Sequence, residues 1–199
     1  MGTTTMEEDL NWVRLGIHLG GSLVPLFDLM LGRIFVYLGL LTAAAAYTAS
    51  ELLRSRGYMV PLIHRMTLAS SRRGEVKGFV TTPLYLAAGV LASLALFPLP
   101  AAYMGVLLVT LGDGLAELFG GSMGRSPIPF NREKTWEGTL LGFGLTGVLL
   151  ILLGMDPVVT IASTLAAGVL EALPLPVNDN LTVPLVAGFV AAATTVFLV

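Results

Sequence analysis

The chain contains no cysteine among its 199 residues, has only two histidines, and carries charge on just 12% of its side chains. The absence of cysteine excludes disulfides, thiolate metal sites and a cysteine nucleophile, and it leaves the redox compartment undetermined. Soluble domains carry roughly 25% charged residues, so the shortage of charge argues against a soluble protein. A hydrophobic share of 55% and a mean hydropathy of +0.83 instead indicate an integral membrane protein.

Long apolar runs recur along the chain, with lengths near the roughly 17 to 25 residues that cross a bilayer. The predicted spans are about 15–31, 34–53, 79–97, 101–121, 139–153, 158–170 and 181–199. Their short connections leave no room for a soluble domain, and no Ser-rich, Pro-rich or low-complexity linker divides them. The sequence therefore predicts an all-α polytopic bundle of about seven transmembrane helices, forming one integral-membrane domain over residues 1–199.

Basic residues lie almost entirely on one side of these predicted spans. Ten of the eleven Lys and Arg residues fall in the N-terminal region or in the loops 54–77 and 122–137, whereas Arg33 alone falls on the other side. By the positive-inside rule, these regions and the segment 174–180 face the cytoplasm. We therefore expect a cytoplasmic N-terminus, a C-terminus outside, and any chemistry at the cytoplasmic face.

Two carboxylates, Asp113 and Glu117, stand out near the end of the fourth predicted span. Their spacing of four residues places them on one helix face. Ionisable groups at such a depth are costly unless they face a polar cavity and have partners. Magnesium prefers hard oxygen ligands and is commonly held by one or two carboxylates together with substrate phosphates. The sequence therefore predicts a Mg²⁺ site on Asp113 and Glu117.

Glycines and cations follow the two carboxylates, in the order Gly120, Gly121, Gly124, Arg125, Arg132 and Lys134. Bare backbone at the glycines would let N–H groups approach phosphate oxygens, and the cations would neutralise the remaining charge. An alternative for the glycines is a G-x-x-x-G helix-packing surface, which does not explain Asp113. Lys134-Thr135 lacks the spacing of a Walker P-loop. We predict a nucleotide-phosphate site of a different design.

The same stretch resembles the CTP-dependent polyprenol kinases, a family that includes dolichol, phytol and farnesol kinases and a CTP-dependent diacylglycerol kinase. The family pattern G-D-x-x-A-x-x-x-G-x-x-x-G followed by K-[ST]-x-E-G is present as Gly112-Asp113, Ala116, Gly120 and Gly124, then Lys134-Thr135 and Glu137-Gly138. Four outlying pieces are also similar to the family, namely Arg14 to His18, Arg73 with Glu75, Glu171, and Asp179-Asn180. The resemblance covers most of the chain.

The resemblance implies two sets of site residues. Catalytic roles fall to Asp113, Lys134, Glu137, Glu171, Asp179 and His18. Nucleotide binding falls to Gly112, Glu117, Gly120, Gly121, Gly124, Arg125, Arg132, Lys134, Thr135, Asn180, Arg73 and Glu75. Which of Glu137, Glu171 and Asp179 would orient the acceptor hydroxyl stays open. Asp179 or Asn180 could instead cap the last helix, and a lone helical histidine such as His18 is usually structural.

The implied reaction transfers the γ-phosphate of a nucleoside triphosphate, CTP by resemblance, to a lipid alcohol such as dolichol, phytol or geranylgeraniol. The expected partners are Mg²⁺, the nucleotide, the lipid alcohol and membrane lipids, without nucleic acid, and the oligomeric state is open. One alternative is a CTP-dependent cytidylyltransferase, although its H-G-G and D-R-x-D signatures are absent. Another is a cation-coupled transporter using Asp113 and Glu117, although no second gate is visible on the far side.

Overall fold

The computed structural model describes residues 2–70 and 78–198, with the side chains of 12–61, 63–68 and 78–198. The helices in this part of the chain are α1 (Gly2–Gly21), α2 (Val24–Leu31), α3 (Arg33–Ser55), α4 (Pro61–Ser70), α5 (Thr82–Leu96), α6 (Leu99–Leu107), α7 (Asp113–Met123), α8 (Trp136–Leu152), α9 (Pro157–Ala172) and α10 (Asp179–Leu198). A π-helical segment, Leu108–Gly112, joins α6 to α7. The predicted nucleotide-binding residues Arg73 and Glu75 lie outside the described residues.

Four helical stretches are long and apolar enough to cross a membrane, namely Trp12–Leu31, Arg33–Ser55, Leu99–Met123 and Asp179–Leu198. Three shorter apolar helices accompany them, Thr82–Leu96, Trp136–Leu152 and Pro157–Ala172. These segments coincide with the seven predicted spans, and the prediction of an all-α membrane protein is confirmed. The assignment of one end to the cytoplasm stays a prediction.

The continuous rod formed by α6, the π-helical segment and α7 lies at the centre of the bundle. Ala102, Val106, Leu108 and Val109 are completely buried along it, because α10, α5 and α8 surround it. A helix that is apolar all round belongs in a core. The π-helical segment ends directly before Asp113, and such single π turns are frequent at functional sites. The rod therefore delivers Asp113 from the core to the end of the bundle.

A two-stranded antiparallel hairpin connects α7 to α8, with β1 at Pro127–Ile128 and β2 at Asn131–Thr135. The sequence analysis did not predict it. Thr135 ends β2 and caps α8, because its hydroxyl accepts a hydrogen bond from the Gly138 N–H at 3.2 Å. An oxygen-bearing side chain at this position satisfies one of the free N–H groups of the first helical turn. The hairpin thus enters α8 in a fixed orientation.

Helices α7 and α8 pack backbone against backbone through small residues. A methyl group added at Gly142 would lie 2.3 Å from the Ala116 nitrogen, and one added at Gly138 would lie 2.5 Å from the Ala116 carbonyl oxygen. No side chain fits at such distances, so glycine is required at both positions for the two helices to meet. Small residues let membrane helices approach closely in this way. This contact sets the position of α7 relative to the hairpin.

Gly142→Ala is therefore expected to lower the stability of the folded protein by at least about 1–3 kcal/mol, because the added methyl group forces α7 and α8 apart. Gly144→Ala is the matched control, since Gly144 lies on the same helix and a methyl group there meets nothing within 4 Å. Thermal unfolding of the purified variants in detergent measures the difference. Equal melting temperatures for the two variants would contradict the close packing.

A buried polar cluster on α2, α3 and α6 was missed by the sequence analysis. Asp28 is buried on α2, where it accepts hydrogen bonds from the Arg33 guanidinium at 3.1 Å and the Tyr103 hydroxyl at 2.7 Å. The same guanidinium donates to the Leu94 carbonyl at 2.8 Å. The single basic residue on the predicted far side therefore has a buried carboxylate as its partner.

A second buried cluster joins α3, α4 and the start of α5. Glu51 is buried and accepts hydrogen bonds from Arg54 at 2.7 Å, from the Thr67 hydroxyl at 2.8 Å and from the Val80 N–H at 3.1 Å. The Tyr47 hydroxyl donates to the Val80 carbonyl at 2.9 Å. Thr67 and Val80, which lie on the two sides of the segment 71–77, are therefore both hydrogen-bonded to α3.

Candidate active site

A cavity of about 1130 Å³ opens at the end of the bundle where α1, α7, β2, α9 and α10 meet. Ligand pockets typically measure about 300–1,000 Å³, so this one is large enough for a small-molecule ligand. Its charged lining consists of Arg14, Glu117, Arg132, Glu133, Lys134, Glu171 and Asp179. The cavity therefore gathers charged residues that are far apart in the sequence, from Arg14 on α1 to Asp179 on α10.

Lys134 lies at the centre of the polar part of the cavity. Its ammonium nitrogen lies 2.6 Å from Glu171 Oε1, 3.2 Å from Asp113 Oδ1 and 3.5 Å from Asp179 Oδ2. Burial by itself would lower the pKa of the Lys134 ammonium, but the three carboxylates outweigh burial and raise this pKa above its ordinary value. Lys134 therefore stays positively charged and joins carboxylates from α7, α9 and α10.

Helix α1 faces the first turns of α7 with two ionisable side chains. His18 Nε2 lies 3.6 Å from Asp113 Oδ2, and the Arg14 guanidinium contacts Glu117 Oε1. His18, Asp113 and Glu117 each offer one ligand atom, and these atoms lie within 4.8 Å of one another. Two carboxylate oxygens and an imidazole nitrogen form a donor set that fits a divalent cation. The predicted pair Asp113 and Glu117 therefore gains His18 as a third candidate ligand.

Glu171 is held by contacts that the sequence analysis missed. It is 2% exposed, and its second oxygen accepts a hydrogen bond from the Thr139 hydroxyl on α8 at 2.8 Å. The Asn131 side chain on β2 donates to the Ala172 carbonyl at 3.2 Å, which ties the strand carrying Lys134 to the end of α9. Both contacts join residues that are far apart in the sequence. The only sequence signal for them was that Thr139, a polar residue, directly follows the K-T-x-E-G motif.

The residues of the K-T-x-E-G motif have different contacts, one with the carboxylate cluster and the others within the fold. Lys134 enters the carboxylate cluster, Thr135 caps α8, and Gly138 packs against α7. The Glu137 carboxylate accepts a hydrogen bond from the Ser126 N–H at 3.2 Å. Glu137 is absent from the described residues that line the cavity, and its contact closes the base of the hairpin. Its predicted catalytic role stays a prediction without a geometric contact to the cluster.

The predicted glycines separate into two groups. Gly120 and Gly121 line the cavity, and a methyl group added at Gly121 would meet nothing within 4 Å. A methyl group at Gly124 would lie 2.2 Å from the Gly120 carbonyl oxygen, and one at Gly112 would lie 2.8 Å from the Phe143 ring. Gly112 and Gly120 therefore pack against α8, Gly124 is crowded by the end of its own helix and by Thr135, and Gly121 presents open backbone to the cavity.

The two predicted arginines after α7 occupy different places. Arg132 and Thr135 line the cavity, whereas Arg125 is exposed and does not belong to the described lining. Arg132 and Lys134 both belong to β2, and all five residues of this strand line the cavity. Arg125 precedes the hairpin, so the strand does not hold it at the cavity. The structure thus gathers two of the three predicted cations.

The hydrogen bonds at the start of α10 show which side chains cap this helix. Asn178, directly before the helix, accepts a hydrogen bond from the Asn180 N–H at 3.1 Å, which is the usual role of an N-cap side chain. Asp179 Oδ1 also receives that N–H at 3.1 Å, while Oδ2 faces Lys134. Asn180 is buried and lines a small second cavity together with Arg14 and His18. Asp179 therefore joins the cluster in addition to its local contact.

Comparison with curated proteins finds relatives of this chain that are phytol kinases by name. The chain is 30% identical to a probable chloroplastic phytol kinase of Zea mays over 61% of this chain and 46% of that protein. It is 28% identical to the chloroplastic phytol kinase 1 of Arabidopsis thaliana over 58% of this chain and 44% of that protein. It is 35% identical to the phytol kinase of Synechocystis over 46% of this chain and 43% of that protein.

These relatives confirm the predicted resemblance to the polyprenol and phytol kinase family. The matches span less than half of the length of each of these relatives. No protein-family model and no solved structure match the chain. The family relationship therefore rests on the curated relatives.

Proposed function

We propose that the protein is an integral-membrane kinase that transfers the γ-phosphoryl group of a nucleoside triphosphate to the hydroxyl of a lipid alcohol. The observation that carries this proposal is the Lys134 ammonium among the carboxylates of Asp113, Glu171 and Asp179, at a cavity that opens at one end of an apolar bundle. The names of the relatives support phytol or another isoprenoid alcohol as the acceptor. CTP is the proposed donor, on the strength of the family resemblance.

Positioning and charge neutralisation would supply most of the catalysis, because the transferred phosphoryl group carries its charge on its oxygens. Lys134 and Arg132 would bind the triphosphate from β2. Magnesium, when bound, would offset phosphate charge, and Asp113 and Glu117 would hold it with His18 beside them. Because Lys134 already bridges α7, α9 and α10, the groups that meet the phosphates would be organised before the nucleotide arrives.

The acceptor hydroxyl must lose its proton as its oxygen bonds to the γ-phosphorus and the bond to the leaving nucleoside diphosphate breaks. A carboxylate within hydrogen-bond reach is the appropriate acceptor for that proton. Glu171 and Asp179 both line the cavity, whereas the contact of Glu137 is with the hairpin backbone. We therefore assign the orientation of the hydroxyl to Glu171 or Asp179.

The apolar part of the cavity wall would accommodate the lipid. Its larger apolar side chains on α1, on α7 and between α9 and α10 include Trp12, Leu15, Leu118, Leu173, Leu175 and Val177. These side chains come from α1, α7 and the segment between α9 and α10, so they lie on the same opening as the charged cluster. The hydroxyl end of a lipid alcohol would meet the nucleotide there while its tail stays in apolar surroundings. On the charge asymmetry of the loops, we place this opening at the cytoplasmic face.

The test is to incubate the purified protein with CTP, ATP or UTP labelled at the γ-phosphate, together with magnesium and a panel of lipids. The panel contains phytol, geranylgeraniol, dolichol, diacylglycerol and phosphatidate. A kinase places the label in a lipid phosphate, and CTP is expected to be the best donor. Label released as diphosphate with phosphatidate would indicate a cytidylyltransferase, and label that stays in the nucleotide with every lipid would contradict both activities.

A further inference from the structure

Helices α1 and α7 run past each other with two facing pairs of ionisable side chains. Arg14 faces Glu117 and His18 faces Asp113. The two α1 residues are four positions apart on their helix, and so are the two α7 residues on theirs, so both pairs occupy one interface. Gly114 allows the close approach, since a methyl group there would lie 2.8 Å from His18 Cβ. This close approach places Arg14 against Glu117, the second of the two α7 carboxylates.

The described cluster contains more negative than positive charge. Its carboxylates are Asp113, Glu117, Glu171 and Asp179, and its permanent cations are Arg14 and Lys134. With His18 neutral, the formal sum is 2 minus 4, or −2. Excess charge of one sign is unfavourable in a partly buried site. A divalent cation would balance this sum, but the Arg14 guanidinium already contacts Glu117.

We infer that Arg14 occupies the place of the divalent cation at Glu117 in the metal-free protein, and that it transfers to a nucleotide phosphate when the cation binds. A guanidinium and a metal ion compete for the same carboxylate oxygens. A guanidinium released from a carboxylate is well suited to phosphate, because its fork of N–H donors matches both groups. Arg14 lines the cavity with about 30% of its side chain exposed, so it can reach a ligand there.

Removal of the Arg14 charge should consequently change two affinities in opposite directions. In Arg14→Gln, Mn²⁺ alone should bind roughly tenfold more tightly than in the wild type, because its competitor is gone. The nucleotide, measured in saturating Mn²⁺, should bind roughly tenfold more weakly, because a phosphate partner is gone. Arg14→Lys keeps the charge, so its affinities for Mn²⁺ and for the nucleotide are expected to lie between those of the wild type and those of Arg14→Gln. The metal half of this inference stands alone, and the nucleotide half rests on the proposed function.

The experiment measures Mn²⁺ binding to the purified 199-residue chain in detergent by electron paramagnetic resonance, and nucleotide binding by calorimetry. Arg33→Gln is the matched control, since Arg33 pairs with buried Asp28 away from the cluster, and it should leave both affinities unchanged. Glu117→Gln should weaken Mn²⁺ binding. Arg14→Met, uncharged and similar in length, replaces Arg14→Gln if the latter does not fold.

Unchanged or weaker Mn²⁺ binding in the uncharged Arg14 variants would overturn the inference, as would nucleotide affinity equal to that of the wild type. Tighter Mn²⁺ binding without any lipid phosphorylation in the wild type would uphold the competition at Glu117 and contradict the proposed kinase function. Lipid phosphorylation by the wild type, together with an Mn²⁺ affinity that does not depend on Arg14, would support the kinase function and contradict the competition at Glu117. The two failures are therefore distinguishable.

Discussion

Asp113→Asn is expected to reduce lipid phosphorylation by about 10³-fold, the scale of losing one preorganised electrostatic group in a catalytic site. The amide keeps the shape of the side chain but removes the charge that faces Lys134 at 3.2 Å and His18 at 3.6 Å. It also removes one of the oxygens proposed to hold Mg²⁺. The measurement is the initial rate of label transfer to phytol, normalised to folded protein.

Asp28→Asn provides the matched control for this substitution. Asp28 is also a buried carboxylate on an apolar helix, with an arginine and a tyrosine as its partners, but these partners lie outside the cavity lining. This variant is expected to lose stability while each folded molecule keeps its activity. Comparable turnover in Asp113→Asn and the wild type would contradict the assignment of the site.

Lys134→Ala is expected to abolish measurable turnover and also to destabilise the protein. Removing one partner of a buried ion pair costs about 3–5 kcal/mol, because the remaining charge is left uncompensated. Here, three carboxylates lose their shared cation. Since the pKa of Lys134 is raised, its stabilising charge is present below its ordinary pKa near 10.4 and is lost only when the pH rises through the folded-state value.

The two effects of Lys134→Ala can be separated by measuring melting temperature and turnover on the same preparations between pH 6 and 9. Lys134 itself stays protonated across this range, so a loss of stability that grows with pH is expected from the carboxylates that the substitution leaves without a cation. Arg33→Ala, which removes the cation from the Asp28 pair, should lower stability without changing the KM for nucleotide. Full turnover by folded Lys134→Ala protein would show that the ammonium is dispensable.

Hydropathy was sufficient to predict the seven apolar segments, because each is a long run whose side chains face either lipid or other helices. It was not sufficient for the hairpin at 127–135. The strand β2 reads Asn-Arg-Glu-Lys-Thr, which is polar throughout and lacks the alternation of a half-buried strand. The π-helical segment likewise has no compositional signature. Both features depend on how α6, α7 and α8 pack.

The candidate site was predictable where a charge stood alone in apolar sequence. Asp113 was found in this way, and the family motif then linked it to Lys134. Thr139 and Asn131 were missed because their contacts with α9 exist only in the tertiary structure. Asp28 was missed because its partner, Arg33, was read as an isolated loop residue. Glu137 shares a motif with Lys134, but the start of α8 directs its carboxylate to the hairpin.

The proposed reaction requires the Lys134 cluster to support phosphoryl transfer to a lipid alcohol. Its most direct test supplies purified protein with phytol, magnesium and CTP that is labelled at the α-phosphate in one reaction and at the γ-phosphate in a parallel one. We expect label in the lipid product from γ-labelled CTP alone, and none with Lys134→Ala. Transfer of the α-label to lipid, or γ-transfer that persists in Lys134→Ala, would contradict it.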